Sequence, residues 1–266
     1  MPTLHVVGGG LFGSLAAAWA RSKGIEAVVF DASLEGAASP AAAGLFAESW
    51  AGRKLRPHHD RALPLLERLY GIRHVSLRGE GRNETLLFVP PVSILEPAPV
   101  REPVTSVGDG WLQAGGRRYE GWIYVAAGVW CEQLFPGLDV YGKAGASFTF
   151  PGEGEGRIQQ LGSGRQAIAF VRDPGTTYFN DSTAERTYTT DHDRQSLERA
   201  AAMGLTGELV RRWGRRPYTP GGPLFRKMGR RTWLATGGRK MGTILGASFA
   251  RQLVEDELRD SLSYHA

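Results

Sequence analysis

The apolar positions of this chain open as short unbroken runs and later settle into alternating blocks. Residues 3–7 (TLHVV) form one such run, stopped at once by Gly8-Gly9-Gly10-Leu11-Phe12-Gly13. A brief apolar run bounded by turn residues predicts a buried strand. Ser14–Lys23 is rich in alanine and predicts a helix, with Gly24 at its C-terminal end. Residues 26–30 (EAVVF) predict a second strand, closed by Asp31. Residues 60–70 (DRALPLLERLY) predict a helix in spite of Pro64. From 74 to 128 the pattern turns to short β-like runs: HVSL, ETLLFV, VTSV, WLQA and WIYVAAG. Prolines 90, 91, 97, 99 and 103 predict a rigid connector among them. Alternation returns between 145 and 190 (ASFTF, AIAFV, TTYF), and 191–211 predicts a helix with Asp191 and Asp193 in its first turn. A strand at 232–236 (TWLAT) and a closing helix at 244–260 complete the chain. The pattern is α/β, with a β-rich part inserted into it.

The first thirty residues carry the sharpest chemical signal. Gly8 lets the chain turn after the strand, Gly10 leaves room for a pyrophosphate, and Gly13 lets the helix pack closely on the strand. The helix N-terminus then offers free N–H groups and positive partial charge to phosphates. Asp31 ends the second strand, 18 residues after Gly13. There its carboxylate can accept from both ribose hydroxyls and disfavours a 2′-phosphate. NAD and FAD share this fingerprint, and a glycine turn without a ligand is the bland alternative.

Composition supports these readings. Glycine supplies 36 of 266 residues, about twice its usual share. The single Cys131 excludes an internal disulfide and a cysteine zinc site, and it fits a packed thiol. His58-His59-Asp60 does not suggest a metal site, because adjacent helical histidines face apart. No apolar run is long enough for a membrane span, and no basic segment precedes the first strand, so the expected location is cytoplasmic. The net charge of +5 is uneven. Between 208 and 240, ten cations face one acid, Glu208, with Trp213, Tyr218, Phe225 and Trp233 among them. Such a stretch is either a solvated basic face or the footprint of a nucleic acid.

Four segments together resemble the FAD-dependent amine oxidoreductases of the D-amino-acid oxidase/glycine oxidase family. They are VVGGGLFGSLAAAWARSKGIEAVVFDAS (6–33), SPAAAGLF (39–46), WIYVAAGVWCEQLFPGL (122–138), and WGRRPYTPGGP (213–223) with WLATGGRKMGTILGASFARQLVEDEL (233–258). The resemblance implies a Rossmann-like FAD-binding domain of the GR2 type, with an inserted and reduced antiparallel β-sheet substrate domain. It implies an FAD-binding unit of 1–50, 100–141 and 228–266, and a substrate unit of 51–99 and 142–227. It places FAD against Gly8, Gly10, Leu11, Phe12, Gly13, Asp31 and Ala32. Ser39, Ala42, Ala43 and Gly44 would lie beside the flavin ring, and Val104 beside the adenine. Ala127, Gly128, Trp130, Gly237, Arg239, Lys240, Met241, Gly242 and Thr243 complete the set. The helix starting at Gly242-Thr243 would stabilise negative charge on the ring.

Arg216 falls on the family's carboxylate-binding arginine, and a bidentate arginine suits that task. Lys240 falls on a second family arginine, keeping the charge without the fork. Gly238 replaces the family's histidine. Tyr178 is expected either over the flavin face or in a sheet core. The implied reaction oxidises the C–N bond of a glycine-like amine, free or carried on a base of DNA or RNA. Alternatives are a free amino acid or sarcosine-type oxidase or dehydrogenase, an FAD-binding subunit without catalysis that joins a partner chain, and an NAD enzyme.

Overall fold

The computed structural model describes residues 3–89, 99–162, 165–207 and 209–258. In chain order the first half runs β1 (Leu4–Val7), α1 (Leu11–Ser22), β2 (Ala27–Phe30), β3 (Leu45–Phe46), α2 (Glu48–Tyr70), β4 (Arg73–Gly79), β5 (Arg82–Phe88), β6 (Val104–Gly108), β7 (Trp111–Ala114), β8 (Arg117–Glu120), β9 (Trp122–Val125) and α3 (Cys131–Leu134). The second half runs β10 (Tyr141–Pro151), β11 (Arg157–Gln160), β12 (Gln166–Asp173), β13 (Thr176–Asn180), α4 (Thr190–Ala202), β14 (Val210–Tyr218), β15 (Leu224–Lys227), β16 (Thr232–Thr236) and α5 (Gly242–Arg251). A π-helical turn, Gln252–Leu258, continues α5. No described helix is long and apolar enough to cross a membrane.

The first sheet has the order β15-β16-β9-β1-β2, parallel except for β15. Every residue of β1 and of β9 is buried, which is why both read as continuous apolar runs rather than alternation. One face packs on α1, α2 and α5 through Leu15, Trp19, Leu65, Leu66, Leu245 and Phe249. The other face packs on the meander β6-β7-β8, with Leu112 and Ala114 against Val7, Phe30 and Ile123. Val100 extends the sheet beyond β2, its N–H donating to Val29 and its carbonyl accepting from Asp31.

The contact between α1 and β1 is as close as backbone allows. A methyl group on Gly13 would lie 1.8 Å from the Gly8 carbonyl oxygen and 2.9 Å from Val6. Gly8 itself has φ +96°, and a methyl there would meet the Ala126 carbonyl at 2.6 Å. The strand-to-helix turn therefore requires glycine at both positions, for shape at one and for proximity at the other.

The second sheet has the order β14-β10-β13-β12-β11-β4-β5-β3. Its pairings are antiparallel apart from the single parallel contact of β11 with β4. The long β10–β14 ladder runs from Tyr141 opposite Tyr218 to Thr149 opposite Val210. Helix α4 covers one face through Ala200 and Met203, against Phe148, Phe150 and Phe179. Thr189 and His192 form its capping box, with Asp191 and Asp193 in the first turn.

Several expected boundaries move. The helix expected over 191–211 ends at Ala202, because Gly204 turns left-handed (φ +79°) and 210–218 is a strand of the long ladder. The helix expected over 60–70 begins at Glu48, with a kink at Gly52. It also carries a second internal proline, Pro57. The closing helix is described as far as Leu258. Prolines 90, 91 and 97 and residue 208 lie outside the described residues. Helix α2, whose residues 51–70 fall in a segment assigned to the substrate unit, packs into the core of the first sheet, and β15, from the same assigned unit, pairs with β16. Residues Leu45 and Phe46, assigned to the other unit, pair with β5 in the second sheet.

One buried acid ties β13 to α4. Asp181 accepts from the Thr183 N–H at 3.0 Å and the Ser196 hydroxyl at 2.8 Å, and it pairs with Arg199. Burial pushes its carboxyl pKa up, but these donors outweigh burial and hold it below the ordinary 3.8. A depressed carboxyl pKa contributes stability above the unfolded value, and that stability is lost as pH falls through the folded value. Asp181→Asn is expected to cost about 3 kcal/mol at neutral pH. It should also flatten the stability-against-pH curve below the ordinary carboxylate range in acid titrations followed by denaturant unfolding. Gly13→Ala is expected to cost about 3 kcal/mol, read as a melting temperature lower by roughly 10 °C in calorimetry.

Candidate functional site

A cavity of about 870 Å³ lies between the two sheets, within the range of small-molecule sites. Its first wall is the turn after β1: Gly8, Gly10, Leu11 and Phe12, with Asp31 and Ala32 from the end of β2. Gly13 stands behind this wall, against Gly8 and Val6. The Asp31 carboxylate is held in place by backbone. One oxygen accepts from the Gly9 N–H at 3.0 Å and the other from the Ser33 N–H at 2.7 Å. Each oxygen keeps a further lone pair for a ligand hydroxyl.

The segment after β2 crosses the cavity mouth and supplies Ser39, Ala42, Ala43 and Gly44. The Ser39 hydroxyl accepts from the Leu11 N–H at 2.8 Å, and it would lie 3.0 Å from a methyl on Gly10. It thus seals the start of α1 with a side chain. Val104, Ala127, Gly128 and Trp130 form a second wall. The turn between β16 and α5 forms a third, with Gly238, Arg239, Lys240, Met241, Gly242 and Thr243. Gly237 lies off the wall, with φ +77°, and a methyl on it would meet the Thr219 hydroxyl at 2.8 Å.

The second sheet closes the cavity with Gln166, Ile168, Tyr178, Asn180 and Arg216. Strand β14 reaches this position because Gly214 passes directly over the 37–38 backbone, where a methyl would come within 2.6 Å of the Ala37 carbonyl. The Arg215 N–H also donates to Gly36 at 2.8 Å. Arg216 is half-buried, and its Nη1 is buried with no hydrogen-bond partner. A buried guanidinium donor without an acceptor costs free energy until a ligand supplies one.

Tyr178 is fully buried and forms a wall of the cavity. Its hydroxyl donates to the Ala41 carbonyl at 2.9 Å, so it braces the 39–44 segment and is not free to meet a substrate. Burial pushes this hydroxyl up to about 12, against the nearby Arg216 and other cations, so it stays neutral at physiological pH. The ring packs against Phe170 at 5.4 Å. Tyr178 thus faces the cavity from within the core of the second sheet.

Lys240 stands exposed at the cavity rim. Partial burial of its ammonium holds its pKa below the usual lysine range, and the positive Arg216 and Arg165 act in the same direction. Arg239 has the left-handed φ of +48° and donates to the Thr219 carbonyl at 2.8 Å. Cys131 is buried beside the cavity wall, and burial pushes its thiol up to about 12, which leaves it unreactive. His58 is bound to the Ser248 hydroxyl at 2.9 Å within the α2–α5 packing, away from the cavity lining.

The basic stretch is not one face. Arg211 pairs with Asp193 at 2.8 Å and Lys227 with Glu257 at 3.0 Å, acids that come from other parts of the chain. The Arg231 N–H donates to Asp109 at 2.7 Å. Arg215, Arg216, Arg239 and Lys240 belong to the cavity. Gln166, Asn180 and Arg215 were not singled out from the sequence. Gln166 and Asn180 are terminal residues of their strands, and a polar residue ending an apolar run reads as an ordinary strand boundary.

No protein-family model matches the chain, and no curated protein matches its sequence significantly. Solved structures do match its fold. The iminodiacetate oxidase (IdaA) from Chelativorans sp. BNC1 aligns with a TM-score of 0.72 and 17% identity, over 97% of this chain and 95% of that one. Glycine oxidase from Geobacillus kaustophilus aligns with a TM-score of 0.72 and 16% identity, over 97% and 95%. The FAD dependent oxidoreductase PA4991 from Pseudomonas aeruginosa aligns with a TM-score of 0.68 and 14% identity, over 98% and 91%. Two sheets, the helices on the first of them and the cavity between them thus make up a Rossmann-like fold shared with these solved structures.

Proposed function

We propose that the chain is an FAD-dependent oxidoreductase that oxidises the C–N bond of an amino-acid-like amine. The observation that carries this reading is that one cavity joins the glycine turn, Asp31, the start of α5 and an arginine with an unpartnered buried donor. The residues suit FAD on their own geometry. Gly8 and Gly13 leave no room for side chains at the start of α1, so backbone N–H groups face the phosphate site. Asp31 holds spare lone pairs for ribose hydroxyls. The first turn of α5, at Gly242-Thr243, presents positive partial charge to the cavity. The similarity to glycine oxidase and to an FAD dependent oxidoreductase supports the same assignment. The substrate unit in this reading is the second sheet with α4.

Bound FAD supplies the acceptor for a hydride from the carbon next to the amine. Arg216 binds the substrate carboxylate through both arms of its fork and so fixes that carbon toward the cofactor. The amine reacts neutral and releases a proton to solvent, and water then hydrolyses the imine to a carbonyl compound and an amine. Tyr178 braces the 39–44 wall and excludes water from this side of the cavity.

A second reading, with the amine carried on a nucleic acid, is supported by one feature. Tyr141 and Tyr218 stack at 5.6 Å, and Arg186, Lys143 and Arg239 lie over their rings. The pairing of other basic residues with acids favours the free substrate instead.

Purified protein is expected to carry flavin absorbance, which amino-acid-like amines should bleach anaerobically. Arg216→Gln should raise the KM for a carboxylate-bearing substrate by about tenfold to a hundredfold, the weight of charged hydrogen bonds. Colourless protein that takes up no FAD overturns the proposal. A bound flavin that no amine reduces assigns the chain to a non-catalytic role, and bleaching only by modified nucleic acid, weakened by salt, selects the second reading.

A further inference from the structure

The glycine turn has little of its own to set against the two negative charges of a pyrophosphate. Three of its N–H groups are already taken. Gly8 donates to the Phe30 carbonyl at 2.8 Å, Gly9 to Asp31 at 3.0 Å and Leu11 to the Ser39 hydroxyl at 2.8 Å. Asp31, the one acid among the described lining residues, stands at this same turn and repels a phosphate. A pyrophosphate seated here calls for a cation from elsewhere in the fold. Arg215, Arg216, Arg239 and Lys240 line the cavity. Arg239 is committed to the Thr219 carbonyl. Arg216 lies near Tyr178 and Lys240 near Arg216, at the end taken above for the substrate.

Arg215 is placed differently, because both of its neighbours border the glycine turn. Its guanidinium lies over the Trp130 ring at 5.3 Å. Trp130 follows the 126–128 turn, whose Ala126 carbonyl a methyl on Gly8 would meet at 2.6 Å. The Arg215 main chain is fixed on the other side, where its N–H donates to the Gly36 carbonyl at 2.8 Å and it bridges to Ala37. Ala37 is two residues from Ser39, the partner of Leu11, so at most about 7 Å of chain separates them. An extended arginine side chain covers that distance. Among the described residues Arg215 forms no ion pair. Resting on the flavin reading above, we propose that Arg215, from the second sheet, binds the pyrophosphate of the cofactor. Its fork takes oxygens of the pyrophosphate while its stem stays on Trp130. Adjacent residues of β14 then serve the two ligands, Arg215 the cofactor and Arg216 the substrate, and the cofactor ties the second sheet to the first.

Binding tests this without turnover. The full chain, freed of flavin, is titrated with FAD and with riboflavin, which lacks the phosphates, and flavin fluorescence is followed. Arg215→Met keeps a stem on Trp130 and removes the charge. It should weaken FAD binding by about tenfold to a hundredfold, the weight of charge-assisted hydrogen bonds, and leave riboflavin binding unchanged. Arg215→Lys should recover part of the loss. Arg212→Met removes a charge from the same strand but outside the cavity lining, and should leave FAD affinity as it was. Equal FAD affinity in Arg215→Met and the unaltered protein overturns the proposal. So does an equal loss for FAD and riboflavin, which makes Arg215 a brace between the sheets, and so does a raised KM for the amine with FAD affinity intact. If Arg215→Met does not fold, salt decides: FAD affinity of the unaltered protein should fall as salt rises, and an affinity insensitive to salt overturns the proposal. A protein that binds FAD with or without the Arg215 charge refutes this inference alone, whereas one that takes up no FAD refutes the cofactor reading and this inference with it.

Discussion

The structure depends on how closely α1 approaches β1. With a methyl on Gly13 only 1.8 Å from the Gly8 carbonyl, no side chain can separate helix from strand. The approach puts the start of α1 at the cavity edge, beside the end of β2 and Asp31. It also sets the depth at which α5 lies across α1, where Phe12 meets Phe249 at 5.7 Å. Two sides of the cavity, the β1–α1 turn and the β16–α5 turn, are therefore held in register by one backbone contact.

The seam between the sheets rests on contacts of a second kind. Gly214 lets β14 pass over the 37–38 backbone, and Tyr178 fastens Ala41 from the opposite side. The 39–44 segment is clamped between them. Its small residues leave space, and its position comes from neighbours distant in sequence. Electrostatics follows from the same seam. Along β14, Arg211 finds Asp193 while Arg215 and Arg216 line the cavity. A local excess of charge in the chain thus becomes a small, directed excess in one wall.

Much of the opening β1–α1–β2 unit was legible in the chain. The glycine spacing, the alanine-rich helix and Asp31 each report a local requirement: a turn, a close approach, a hydrogen-bonding end to a strand. Such requirements are met by residues near one another in sequence, and the structure bears out the β1–α1–β2 unit. The second sheet was less legible. The extended helix read over 191–211 failed because the leucines and arginines between Leu205 and Trp213 suit both helix and strand. Pairing with β10 decided the outcome. The charge pattern of the basic stretch was illegible for the same reason, since the acids that pair with Arg211 and Lys227 come from α4 and from the turn after α5.

The sequence by itself determined the strand–turn–helix that opens the fold and the need for glycine at Gly8 and Gly13. These rest on short-range sterics and on side-chain chemistry that no partner alters. Only the tertiary structure decided that Arg216 has a buried donor without an acceptor, that the Tyr178 hydroxyl is taken by Ala41, and that α2 belongs with the first sheet. Each of these depends on which group arrives from far along the chain to fill a lone pair, donor or apolar face.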